Sequence, residues 1–179
     1  MTTSQPFLSD VKELRRRARE NIERGAITDS YGLDANVVCD ILNQALATEI
    51  VCVLRYKRHY FMARGLNKDA VAAEFLDHAN DEQGHADRIS ERITQLGGSP
   101  NLNPDGLASR SHSEYKEGSS LVDMIKEDLI AERVAIESYN EIVRFLGEKD
   151  PTSRRLMEEI LAVEEEHAND MSDLLAKVK

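Results

Sequence analysis

Two short phrases in the chain place an imidazole three residues after a carboxylate: Glu82-Gln83-Gly84-His85 and Glu164-Glu165-Glu166-His167. On a helix, residues three apart lie about one turn apart on one face, so each phrase can aim both donors at one point. Two such pairs can hold two metal ions. With 33 acidic residues and five histidines in the chain, a single phrase of this kind arises readily by chance, so its surroundings must carry the reading.

Those surroundings repeat. The interval from Glu49 to Glu132 is the same as that from Tyr56 to Tyr139, and the intervals from Glu82 to Glu164 and from His85 to His167 are equal and only one position shorter. The chain therefore reads as two αα-hairpins carrying one arrangement. Glu49 precedes Gly65 by nearly the same stretch of chain as Glu82 follows it, and Glu132 and Glu164 flank Gly147 in the same way. At the helical rise each acid sits about 25 Å from its turn, so all six groups meet at one level of an antiparallel bundle. Burying four ionised carboxylates together without compensating charge would cost many kcal/mol, and divalent or trivalent metal ions supply that charge. Imidazole and carboxylate without thiolate suit iron or manganese rather than a structural zinc site, with manganese or zinc as possible substitutes for iron.

Four long helices must position these groups. The first is expected over about 35–64, after Asp34 as N-cap, with Leu42, Ala45, Leu46, Val53, Tyr56 and Tyr60 as its apolar stripe and Glu49 inside it. Gly65 ends it and Asn67 caps the second, over about 68–96, whose inner line runs from Val71 and Phe75 to Ile93 and Leu96 through Glu82 and His85. Residues 99–118, rich in Gly, Pro, Ser and Asn, read as a long crossover spanning the height of the bundle. The third helix starts near Ser120, in a capping box with Asp123, and ends at Gly147 with Glu132 in its stripe. Asp150-Pro151 opens the fourth, which carries Glu164 and His167 among Met157, Ile160, Leu161 and Met171.

The expected fold is thus all-α, an antiparallel four-helix bundle over residues 34–179 with one long crossover between its second and third helices. Residues 1–33 form an N-terminal extension that does not read as core. Within it, Val11 to Glu20 favours a short helix concentrating Lys12, Arg15, Arg16, Arg17 and Arg19, either a docking arm or a segment that contacts DNA. The rest of the chain is acidic, with a formal net charge of −10, which disfavours a general nucleic-acid surface and suits a container that attracts cations. No apolar run approaches the roughly 18 residues that cross a bilayer, and Met1-Thr2-Thr3-Ser4-Gln5 is not a signal peptide, so a soluble, cytoplasmic protein without a membrane partner is expected. Cys39 and Cys52 fall on one helix, separated by about 20 Å along its axis, and cannot bridge within a subunit.

Together, Glu49, Glu82-x-x-His85, Glu132 and Glu164-x-x-His167 resemble the ferritin-like superfamily, most closely bacterioferritin and the Dps-like mini-ferritins, over about residues 34–179. The resemblance implies that Glu82 and Glu164 bridge two metals, with Glu49 and His85 completing one iron site and Glu132 and His167 the other. Tyr56 matches the tyrosine beside the bacterioferritin centre, either an electron donor or a core tyrosine bonded to a ligand carboxylate. Gln83 stands where bacterioferritin has its haem-ligating methionine, so haem is not expected. The stretch after His167 completes the fourth helix but is too short for the fifth helix of 24-subunit cages, and a 12-subunit homo-oligomer is favoured. His78, one turn before Glu82, is a candidate accessory group, and Asp77 and Asp81 are candidates for an iron position on the cavity wall. His59 and His112 read as surface or locally bonded histidines.

The implied function is ferroxidase activity and iron storage: oxidation of Fe²⁺ by O₂ or H₂O₂ within one subunit and retention of the ferric product in an oligomeric cage. The alternatives are a DNA-protecting cage, or a rubrerythrin-like peroxidase or manganese catalase. The chain has no Cys-x-x-Cys pair for a rubredoxin centre, which counts against the rubrerythrin-like reading.

Overall fold

The computed structural model describes residues 10–63 and 68–177, and among them every regular element is helical. The elements are α1 (Val11–Arg17), a short 3₁₀ turn (Ile22–Arg24), α2 (Ala35–Met62), α3 (Lys68–Gln95), α4 (Leu107–Arg110), α5 (Leu121–Leu146) and α6 (Pro151–Lys177). Helices α2 and α3 pack as one hairpin and α5 and α6 as the other, giving the four-helix bundle. Gly65 and Asn67, expected as terminator and cap between α2 and α3, lie outside the described residues.

The caps follow local chemistry. Asp34 accepts from the Asn36 amide at 2.9 Å, and Ser120 accepts from the Asp123 amide at 3.2 Å. Asp123 reaches back to the Ser119 amide at 2.8 Å, one residue earlier than in a standard capping box. Asp150 caps α6 through the Ser153 amide at 2.9 Å, and also receives Arg92 at 3.1 Å and the Tyr31 hydroxyl at 2.7 Å.

Two apolar clusters fill the bundle, one built on Leu42, Leu46, Ile89, Ile93, Leu146 and Ile160, the other on Tyr56, Phe75, Ile125 and Met171. The polar residues Glu49, Glu82, His85, Glu132, Glu164 and His167 are buried as well. Their level in the bundle is the candidate centre.

Three expectations need correction. The extension is not wholly outside the core, because Ile27 is buried in the first cluster and Tyr31 ties the segment to α6 through Asp150. The long crossover is present as expected, and within it α4 packs on α2. Helix α2 does contain an 18-residue window apolar enough to cross a membrane, with mean hydropathy 1.7; 61% of that window is buried in the bundle, and its apolarity serves the core. His59 is neither on the surface nor locally bonded: it is fully buried, with Nδ1 2.7 Å from Asp128 and Nε2 3.1 Å from the Lys116 carbonyl, both distant in sequence.

Candidate metal centre

Each of the four long helices contributes one buried carboxylate, and α3 and α6 each add a histidine one turn further along. The donor atoms of Glu49, Glu82, His85 and Glu164 lie within 4.8 Å of one another, and so do those of Glu82, Glu132, Glu164 and His167. The two quartets share Glu82 and Glu164. His85 Nδ1 is 3.0 Å from Glu164, 3.4 Å from Glu49 and 3.4 Å from Glu82. His167 Nδ1 is 3.6 Å from Glu82 and 3.8 Å from Glu164.

Most of these atoms lack a partner suited to them. Glu49 Oε2, Glu82 Oε1, Glu132 Oε2, Glu164 Oε1 and His167 Nδ1 are buried without a hydrogen bond. Unsatisfied buried carboxylates are strongly disfavoured unless a cation or a proton joins them. Metal ions fit this donor set: four hard oxygen ligands and two imidazole nitrogens turned inward.

Without metal, protons take that place. Burial pushes Glu49 well above the ordinary carboxylate range, and the neighbouring Glu82 charge adds to it. Burial likewise raises Glu164, reinforced by Glu82, Glu49 and Glu132, and lifts Glu132 to about 7 with help from Glu82. Glu82 goes the other way: burial opposes its charge, but the neighbouring Glu49 carboxyl and contacts to both histidines hold it low. Burial disfavours charge on His85 too, yet Glu49 and Glu82 raise it to about 10; His167 rises for the same reason, against burial, through Glu82 and Glu132. The site thus stores protons that arriving metal ions would displace.

Around the quartets stands a second layer. Tyr56 donates to Glu132 Oε1, and Tyr139 donates to Glu49 Oε1. His78 Nδ1 lies 3.1 Å from the Tyr56 hydroxyl, its ring stacks on His167 with centroids 3.8 Å apart, and burial followed by the His167 charge lowers its pKa to about 3. Asp81, exposed on α3, is 3.4 Å from His167 Nε2, where it orients the ring. Asp77 is exposed and belongs to neither quartet, and His112 is half-buried with its Nδ1 unbonded.

Sequence reasoning misses two features. Tyr139 is visible there only as a repeat partner of Tyr56, not as a donor to Glu49. Arg55, on α2, is fully buried and binds Asp128 at 2.8 Å, Ser113 at 3.2 Å and the Glu114 carbonyl at 3.2 Å, so it clamps the crossover beside the centre. Asp128 lies one helical turn before Glu132 on α5, and that interval is the available signal.

Comparison with known proteins agrees with this architecture. The profile of the ferritin-like domain matches residues 39–179. A nutrient stress-induced DNA-binding protein of Synechococcus is 31% identical over 153 residues, covering 81% of this chain and 86% of that protein. A bacterioferritin of Brucella melitensis is 32% identical over 147 residues, covering 79% of this chain and 86% of that protein. Among solved structures, the dodecameric thioferritin of Bacteroides fragilis, a bacterioferritin-related protein, is 33% identical with a TM-score of 0.79, covering 82% of this chain and 89% of that one.

Proposed function

The chain belongs to the ferritin-like domain family, and on that premise we propose that it is a ferroxidase that detoxifies and stores iron. The observation that carries the proposal is the overlap of the two quartets, in which Glu82 and Glu164 are shared while Glu49 with His85, and Glu132 with His167, close either end. Such a set holds two Fe²⁺ ions as substrates. Each gives one electron to O₂, reducing it with two protons to H₂O₂, or to H₂O₂, reducing it with two protons to water.

The carboxylates stabilise the more highly charged ferric product by Coulomb attraction, strengthened in a poorly solvated interior. Tyr56 and Tyr139 hold the terminal carboxylates through one oxygen and leave the other facing the centre. Asp81 does the equivalent for His167. Of the metals this donor set accepts, iron is the proposed one, and cytoplasmic location is part of the proposal.

Storage requires a shell. Leu54 and Phe61, two turns apart on one face of α2, are 50% and 74% exposed in the single chain, and Ile130 on α5 is 54% exposed; such apolar surface suits subunit contacts. We favour twelve subunits, as in the Bacteroides fragilis relative. The test is iron retention: after repeated aerobic additions of Fe²⁺, iron should co-elute with the assembled protein far beyond the stoichiometry of its binding sites. Iron that is oxidised but left outside the protein fraction would remove the storage function.

A second reading, DNA protection, draws on α1, where Lys12, Arg15, Arg16 and Arg19 on and just after the helix are exposed, and on the DNA-binding relative of Synechococcus. Arg16 and Arg17 are partly neutralised by Glu13 and Glu20. A salt-sensitive gel shift lost on deleting residues 1–20 supports it, and no shift at low salt removes it.

A further inference from the structure

Outside the paired quartets, a third group of donors comes together at the end of the centre toward which α3 begins and α6 finishes. Glu74 and His78 are one turn apart on α3, and Asp170 lies one turn beyond His167 on α6. We propose that these three residues form a separate divalent-cation site, standing between solvent and the buried pair.

One proton sets the orientation of the His78 ring. Tyr56 has a single hydroxyl hydrogen, and it is donated to Glu132. The 3.1 Å contact between the Tyr56 oxygen and His78 Nδ1 must therefore be donated by the ring, which puts the imidazole proton on Nδ1. That tautomer turns the Nε2 lone pair outward. There it faces Asp170 Oδ2 at 3.6 Å and Glu74 Oε1 at 3.7 Å, and it makes no hydrogen bond among the described residues.

A lone pair directed at two carboxylate oxygens is repulsive. A divalent ion at about 2.0–2.2 Å from each donor converts three repulsions into three bonds, and donors 3.6 and 3.7 Å apart leave room for it. One imidazole with two carboxylates, open to water for the remaining positions, suits Fe²⁺, Mn²⁺ or Zn²⁺. The side chain of His78 is 4% exposed while those of Glu74 and Asp170 are 38% and 43% exposed, so this group opens to solvent on one side. On the other, the His78 ring stacks on His167 of the buried centre. Ions held here are one ring away from the paired positions.

This inference concerns a third position and is read separately from the two buried ones. Crystals prepared without metal are soaked in Zn²⁺, and anomalous diffraction at the zinc edge is compared between wild type and the double variant Glu74→Gln, Asp170→Asn. Both changes are partly exposed and keep side-chain size, so the fold should survive. The expected result is a wild-type peak among Glu74, His78 and Asp170, lost in the variant while peaks among the buried carboxylates persist, with equilibrium dialysis showing one Zn²⁺ fewer per subunit.

If the buried quartets fill and no wild-type peak appears at the outer group, or if that peak survives in the variant at unchanged occupancy, the inference is overturned. A peak at the outer group with none at the quartets supports this inference and removes the paired-metal reading instead.

Discussion

Tyr139 on α5 donates its hydroxyl hydrogen to Glu49 on α2. Tyr56 on α2 does the same for Glu132 on α5, so each hairpin supplies the tyrosine that fixes the other hairpin's terminal carboxylate. In both acids the bonded oxygen is Oε1, while Oε2 has no hydrogen bond and stays available to the centre. The internal repeat thus extends from the acids to the groups that hold them.

Removing either phenol leaves a buried carboxylate oxygen without its donor. Tyr56→Phe and Tyr139→Phe should each lower the stability of the metal-free protein by about 1–3 kcal/mol, read from urea unfolding. Only Tyr56 also touches His78, so Tyr56→Phe should slow Fe²⁺ oxidation more than Tyr139→Phe does. Equal rates in the two variants would show that the His78 link has no part in turnover.

Metal should stabilise the fold more as pH rises. Glu49, Glu132 and Glu164 have folded values above their ordinary 4.5, so the stability they contribute without metal is complete below about 4.5 and is lost as pH climbs through those values, about 7 for Glu132. His85 works in the same direction, its contribution disappearing as pH passes through about 10. Glu82, held low, has the opposite sign. Metal needs the deprotonated donors. The rise in Tm on adding Mn²⁺ should therefore be larger at about pH 8 than at about pH 5.5, as measured by calorimetry; an equal rise at both would contradict the proton-storing description.

The four long helices and six inward donors are legible in the sequence because helix periodicity and residue type reveal them locally. Stripes of Leu, Ile and Ala mark the inner faces, and an acid inside such a stripe has few explanations. What stays hidden depends on contacts between distant segments. Nothing near Arg55 points to Asp128 on another helix, or to the Ser113 and Glu114 of the crossover. His59 reads as a surface or locally bonded histidine because its partners, Asp128 and the Lys116 carbonyl, come near only once α5 and the crossover pack against α2. Helix α4 has four residues, too few for a periodic signal.

Asp128 joins Arg55 and His59 in a fully buried cluster. Asp128→Ala would strand a buried guanidinium, and we expect a loss of about 3–5 kcal/mol in urea unfolding. A loss below about 1 kcal/mol, the range of exposed ion pairs, would mean that water replaces the carboxylate.

Assembly is tested by mass. Light scattering after size exclusion should give twelve times the 20.2 kDa of one chain. A monomer, or a species of twice the twelve-chain mass, would exclude the twelve-subunit shell.

The central claim, that four carboxylates and two imidazoles bind two iron ions for oxidation inside one subunit, is tested most directly by stopped-flow absorbance as Fe²⁺ meets oxidant. The fast phase should grow with added Fe²⁺ until two ions per subunit occupy the paired positions, and it should vanish in Glu82→Ala and Glu164→Ala. A fast phase that saturates at one ion per subunit, or that survives in those variants, contradicts the account.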